Sequence, residues 1–432
     1  MRATGGLQMS KLTYDQIFSR LVKASYNGNL EQEIQEIEAS GDERTQKYVY
    51  YALGNGDPNK VVFQINACDG DCSGEEHNCE TACLFDAIVR DMEGKVVIQD
   101  RNCAHCGQCI DTCSLNTLVD KKEFIPLIDL LKKKEVPVYA IVAPAIIGQY
   151  GDHVTMGQLR AAFKHLGFYG MVEVALFADI LSLKEALEFD RAVHTDQDFV
   201  LTSCCCPIWV GMVKRVYHTL VPHILPSVSP MVATARGIKR LHPEAKVVFI
   251  GPCIAKKAEA REEDIRDAVD AVLTFEEVKQ IFEATGINPS EMEDLPSEHS
   301  STGGRIYART GGVTKAISDT LDQLRPEKPI RIRAVQANGI QECKEMLRSL
   351  SIGDIRANFY EGMGCVGGCV GGPKALLKSE FGTIHVNTYG LSATAHTPVN
   401  NPYVLELLER LGIENVESLL EGESAKIFQR SF

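Results

Sequence analysis

Apolar positions near the N-terminus recur at helical spacing. Ile17, Leu21 and Val22 form one stripe and Leu30, Ile34 and Ile37 another, with Asn27-Gly28-Asn29 as a turn between them, so residues 14–40 are predicted to form two amphipathic helices. Residues 61–120 lose this periodicity and become rich in Gly, Asp, Asn and Cys, and residues 123–134 return to a helical pattern. From about residue 136 the pattern alternates. Short apolar runs at 136–142, 247–250 and 332–335 are separated by amphipathic segments, the signature of strands and helices taking turns. The reading is an α/β chain with largely parallel strands, in three parts: an N-terminal helical segment, 1–60; a small cysteine-rich unit, 61–121; and a large domain, 122–432.

Composition narrows the function classes. The chain has 432 residues, 44% hydrophobic, with 45 Lys+Arg against 58 Asp+Glu and a net charge of −13. That balance argues against nucleic acid as a partner, because phosphate binding needs clustered basic residues. No stretch approaches the roughly 18–20 apolar residues that cross a bilayer, and the N-terminus has no apolar signal region, so a cytoplasmic protein is expected. Lys121, Lys122, Lys132, Lys133 and Lys134 could dock an acidic electron carrier, but such a run reads more simply as a solvated helix face.

The 15 cysteines carry the chemistry. A disulfide framework fits poorly with a long chain lacking a secretion signal. Zinc is the second simple reading, but structural zinc usually takes paired C-x2-C units. Here one run reads Cys103-x2-Cys106-x2-Cys109-x3-Cys113, the spacing of bacterial ferredoxins. The run before it is stretched, Cys68-x3-Cys72-x6-Cys79-x3-Cys83. By analogy with two-cluster ferredoxins, Cys68, Cys72, Cys79 and Cys113 would hold one 4Fe-4S cubane, and Cys103, Cys106, Cys109 and Cys83 the other. His77 and His105 lie in these segments and read as neighbours of the clusters or as exposed, since the cysteines already complete both ligand sets. Three more cysteine loops begin where apolar runs end: Thr202-Ser-Cys-Cys-Cys-Pro-Ile-Trp209, Gly251-Pro-Cys-Ile-Ala-Lys-Lys-Ala-Glu259, and Glu361-Gly-Met-Gly-Cys-Val-Gly-Gly-Cys-Val-Gly-Gly-Pro373. Loops at the carboxyl ends of parallel strands converge on one crevice, so four thiolates are expected to meet there.

These three loops resemble the signature loops of FeFe hydrogenases. The resemblance extends to Ala143-Pro-Ala145, Phe177-Ala-Asp179 and Gly304-Arg-Ile-Tyr-Ala-Arg-Thr-Gly-Gly-Val313, and covers most of residues 61–400. It implies a ferredoxin-like two-cluster domain followed by a catalytic domain of parallel sheets flanked by helices, with an H-cluster in the crevice between its two halves. That group is a 4Fe-4S cubane joined through one cysteine sulfur to a two-iron unit carrying carbonyl, cyanide and a bridging dithiolate amine. By matching positions, Cys206, Cys253, Cys365 and Cys369 become the cubane ligands and Cys369 the bridge. The first loop is a triple-cysteine variant: Cys205 takes the place of the family's proton-relaying thiol, and Cys204 is the extra one, read as packed and inert. Glu185 and Glu188 match the relay carboxylates, with Ser229 as a weak match to the serine between them. Lys256 matches the lysine that bonds a cyanide, and Met363 the methionine lining the bridging ligand. Gly251 stands where methionine is usual and is expected to loosen packing, and Cys343 has no match and reads as core.

The resemblance implies reversible interconversion of dihydrogen with protons, a ferredoxin-like electron carrier, and maturation proteins that deliver the two-iron unit. The rivals are a hydrogen sensor of low turnover and an iron-sulfur assembly protein with cubanes but no two-iron unit.

Overall fold

The computed structural model describes residues 12–68, 72, 79–297 and 299–432. The two helices expected at the N-terminus form as Tyr14–Asn27 and Leu30–Ser40, and a third, Glu43–Ala52, follows. Thr13 caps the first by accepting from the Gln16 amide, and Gly28 ends it in the left-handed region at φ 78°. Its apolar face, with Ile17, Phe18, Leu21 and Val22 all buried, belongs to the same core as helix Phe275–Thr285 of the large domain, against which it packs.

The cysteine-rich unit is two small antiparallel ribbons. Strand β1 (Val62–Gln64) pairs with β4 (Leu118–Asp120), and β2 (Ile88–Arg90) pairs with β3 (Val96–Ile98). Between them run the short helices Cys79–Ala82 and Gln108–Asp111. The lysines expected on a solvated face divide here: Lys132, Lys133 and Lys134 are exposed, but Lys121 and Lys122 are buried. Lys122 is only 1% exposed, 3.4 Å from both Asp120 and Asp15 and over the rings of Tyr14 and Phe18. A buried ammonium is tolerable when a carboxylate faces it, and Asp120 is buried beside it. Lys121 and Lys122 are therefore a joint between units, and only the other three lie on a solvated face.

Seven strands follow: β5 (Val138–Val142), β6 (Gly170–Glu173), β7 (Val200–Leu201), β8 (Lys246–Gly251), β9 (Ala271–Thr274), β10 (Ala334–Asn338) and β11 (Phe359–Met363). They form two all-parallel sheets, ordered β6-β5-β8-β9 and β10-β11-β7. The expected run at 332–335 shifts, since the strand begins at Ala334 and, as a sheet edge, leaves Ala334, Val335 and Gln336 exposed. Among the described residues no helix is long and apolar enough to cross a membrane.

Trp209 ties the second sheet to the first cysteine loop. It is fully buried, donates its indole N–H to the Thr202 carbonyl at 2.8 Å, and lies flat on Gly362, where a Cβ would fall 2.1 Å from the ring. Gly362→Ala is expected to cost about 1–3 kcal/mol through overpacking. Chemical unfolding checks this, and an unchanged midpoint would mean that the ring has room to move.

Candidate functional site

Strands β7, β8 and β11 deliver the three loops from their carboxyl ends. Cys206 is the N-cap of helix Pro207–Arg215, whose first position is a proline, so the thiol is fixed where the strand-to-helix turn ends. Cys253 precedes helix Ala255–Glu259. Cys365 and Cys369 flank a turn in which Gly367 and Gly368 take φ 88° and 82°, conformations that side chains resist. The Gly364 amide donates to the Cys206 sulfur at 3.3 Å.

These four sulfurs lie close enough to act on one another's charge. Burial raises the Cys365 thiol well above its ordinary value, and Cys253, Cys206 and Cys369 raise it further. Cys253 is pushed up to about 12 and Cys369 to about 11, burial first and the Cys206 sulfur next. Thiols that raise one another in this way are a poor set for free thiolates and a good one for a metal group, whose positive charge ionises them. Among the described residues no three His, Cys, Asp or Glu side chains close round a single ion. A cubane asks for less, because its thiolates bind different irons.

Around the four lie the other expected residues. Cys205 is half-buried, and Cys369, Cys206, Lys256 and Glu185 all act on its charge. Lys256 is buried and pairs with Glu259 at 2.5 Å, while the second Glu259 oxygen has no partner. Met363 ends β11 and is buried. Cys204 donates to the Leu225 carbonyl at 3.1 Å, a packed thiol, and Cys343 is fully buried core. The space left by Gly251 is not loose: the Phe249 ring fills it, 2.5 Å from where a Cβ would stand. The expectation of looser packing fails because a strand neighbour two residues back supplies the missing bulk.

Glu185 and Glu188 lie on helix Ala175–Ala192. Glu185 is 3% exposed and accepts from the Thr202 hydroxyl at 2.6 Å. Burial, opposed by that hydrogen bond and reinforced by Glu188, pushes its carboxyl up to about 7. Glu188 is partly exposed, pairs with Lys184, accepts from the Ser227 hydroxyl at 3.2 Å, and lines an open cleft of about 1180 Å³. Ser229 instead caps helix Pro230–Leu241, accepting from the Val232 amide at 3.4 Å. The serine at the carboxylates is thus Ser227, two positions earlier, because Ser229 is spent on the helix start. Two more acids explain the outlying motifs. Asp179 accepts from the Ser301 and Gly304 amides, at 2.6 and 2.9 Å, and Glu361 accepts from the Gly311 and Thr314 amides, at 2.7 and 2.8 Å. Both are buried braces for residues 301–314 that the sequence reading left without a role.

The two cysteine runs fall into two groups. The Cys79 thiol, pushed up to about 11 by burial, has Cys113, Cys68 and Cys72 as its next neighbours. Cys83, Cys103, Cys106 and Cys109 line one enclosed cavity. Each run therefore sends its last cysteine to the other. His105 stands 3.8 Å from the Cys103 sulfur and is pushed down to about 4 by burial and then by Arg215, so it is neutral; His77 lies outside the described residues. The second group abuts the crevice: Cys106 is a charged neighbour of Cys365, and Gly107 packs on Ile254, beside Cys253. Arg215 and Lys344 of the large domain bond the Cys103 and Leu84 carbonyls of the ligand loops.

The family described as the iron-only hydrogenase large subunit, C-terminal domain, matches residues 136–373. The NADP-reducing hydrogenase subunit HndD of Solidesulfovibrio fructosivorans is 25% identical over 376 residues, covering 72% of this chain and 63% of that protein, so the chain spans less than two thirds of this relative. The cytosolic iron-sulfur assembly component 3 of Bos taurus is 25% identical over 313 residues, covering 59% of this chain and 65% of that protein. A solved FeFe-hydrogenase, from work on oxygen inactivation of its H-cluster, shares the fold with a TM-score of 0.56 at 20% identity, covering 71% of this chain and 98% of that one.

Proposed function

The chain belongs to the iron-only hydrogenase family, and on that premise we propose that it interconverts dihydrogen with two protons and two electrons. Cys206, Cys253, Cys365 and Cys369 would hold the cubane of an H-cluster, with Cys369 as the bridge to the two-iron unit that maturation proteins supply. When bound, that unit supplies the metal and the basic amine at which dihydrogen is split. The chain's own residues do the rest. Lys256 donates to a cyanide as a point charge that cannot be oxidised, Met363 lines the pocket, and Cys205 takes up or returns the proton. Glu185 and Glu188 connect it to the open cleft. Cys68, Cys72, Cys79 and Cys113 would hold one cubane and Cys83, Cys103, Cys106 and Cys109 another, which would supply an electron path to a ferredoxin-like carrier.

The observation that carries this reading is the placing of Cys205. Cys369, Lys256 and Glu185 all act on its charge, and burial pushes the Glu185 carboxyl up to about 7. A module that only holds cubanes, as in iron-sulfur assembly, has no use for a thiol and a tuned acid aligned behind its ligands. Hydrogen evolution from reduced methyl viologen by anaerobically matured protein is the test. Glu185→Gln is expected to lower the rate about 100-fold, and Glu185→Asp to restore part of it. Glu185 is a donor below pH 7 and an acceptor above it, so evolution should fall, and oxidation rise, as pH passes upward through about 7. Stability follows the same sign: the folded carboxyl binds its proton more tightly than its ordinary value of 4.5, so its contribution is complete below that value and is lost as pH rises through about 7. A Glu185→Gln rate equal to that of the parent protein would remove Glu185 from the route.

A further inference from the structure

Glu188 does not face the cleft alone. Lys184, one helical turn before it, is 0% exposed. An ammonium has three donors, and here all three are taken: by Glu188, by the Ser227 hydroxyl at 2.9 Å and by the Pro226 carbonyl at 3.3 Å. Ser227 accepts from Lys184 and donates to the other Glu188 oxygen at 3.2 Å. The three side chains close a triangle in which Glu188 receives two hydrogen bonds and gives none, an arrangement that suits a carboxylate and not a carboxylic acid.

This triangle does not serve helix stability. Lysine preceding glutamate by four residues is the weaker orientation of such a pair, and burying an ammonium is strongly unfavourable unless its partners repay it. Glu185 on the same helix and the Cys204 thiol of the first loop, which burial and then Glu185 and Glu188 push up, adjoin the triangle, and the cleft that Glu188 lines also carries Arg191, Asp198, His223, Arg236, Lys239, Arg240, Asp267, Lys426 and Arg430. Glu185 has the opposite environment, with one hydroxyl donor and no cation bonded to it. Two carboxylates three residues apart are thus held in opposite surroundings, the condition under which paired acids divide the roles of donor and acceptor.

We propose that Lys184 is a positioning residue for proton exit, its ammonium and the Ser227 hydroxyl fixing both Glu188 oxygens between Glu185 and the open cleft. In the outward direction the O–H of Glu185 breaks and its proton ends on the Glu188 carboxylate, which releases it to water in the cleft. In the inward direction the sequence reverses. This rests on the hydrogenase reading, but its main test does not need the two-iron unit.

The first experiment is infrared titration of protein expressed without maturation proteins, following the protonated-carboxyl band that Glu188→Gln removes. The pH at which that band appears should rise in Lys184→Met and stay at the parent's in Lys184→Arg. Ser227→Ala, a smaller change, should move it in the same direction by less. In matured protein the pH at which dihydrogen oxidation sets in should shift alkaline by about one unit in Lys184→Met, with the arginine variant unshifted. A band that appears at the parent's pH in both Lys184→Met and Ser227→Ala would overturn the proposal. Matured parent protein without dihydrogen turnover would overturn the hydrogenase reading, and the exit route with it, whatever the titration of Glu188 shows.

Discussion

Cys205→Ala is expected to lower dihydrogen turnover by about 100- to 10,000-fold while leaving the infrared bands of the two-iron unit in place. Cys205 is not among the four sulfurs that would bind the cubane, so removing it spares the ligand set, but Cys369, Lys256 and Glu185 all act on its charge. Burial keeps its thiol well above the ordinary value, so it rests neutral and can hand on a proton without becoming a standing anion. Cys204 cannot stand in for it, because its S–H is committed to the Leu225 carbonyl at 3.1 Å. Methyl-viologen assays on variant and parent, both normalised to band intensity, check this. An unchanged rate would show that protons leave by another way.

Cys369→Ala should do more, removing turnover to background together with the bands themselves. Its sulfur is proposed to be shared between the cubane and the two-iron unit, and without it the second has no covalent link to the protein. Cys343→Ala is the control: it is a buried thiol outside the proposed ligand set, and its sulfur donates to the Met363 carbonyl at 3.5 Å. It should cost stability and leave the bands. Infrared spectra and iron content of the two variants separate these outcomes. Bands persisting in Cys369→Ala would show that the bridge has been placed on the wrong sulfur.

The loops that carry both variants could be read from the sequence because loop position follows strand periodicity, while the roles of Cys205 and Cys369 within them came from the resemblance to FeFe hydrogenases. The apolar runs ending at Leu201 and Ile250 become strands whose carboxyl ends meet, and the third ends at Met363, three residues beyond Tyr360. What periodicity could not supply was contact between distant segments. Lys122 sits in a run that looks solvated, and only the fold brings Asp15 and the Tyr14 ring to it. Gly251 looks like a gap until Phe249 is seen to fill it. Ser227 and Ser229 are indistinguishable along the chain. A helix start takes one, which leaves the other for Glu188. Lys184 carried no signal of its own, since a lysine beside glutamates on a helix reads as surface, and only its complete burial marks it. Strands β6 and β9, four residues each, were too short to stand out from the helices around them.

The central claim is that the pocket of Cys206, Cys253, Cys365 and Cys369 takes an H-cluster and not a cubane alone. Infrared spectroscopy of anaerobically matured protein tests it most directly, because carbonyl and cyanide ligands absorb where no group of the polypeptide does. The expected result is a set of such bands accompanied by turnover of dihydrogen. Their absence from protein shown to be fully loaded with iron by working maturation proteins would contradict it, and would leave a protein that binds cubanes without splitting hydrogen.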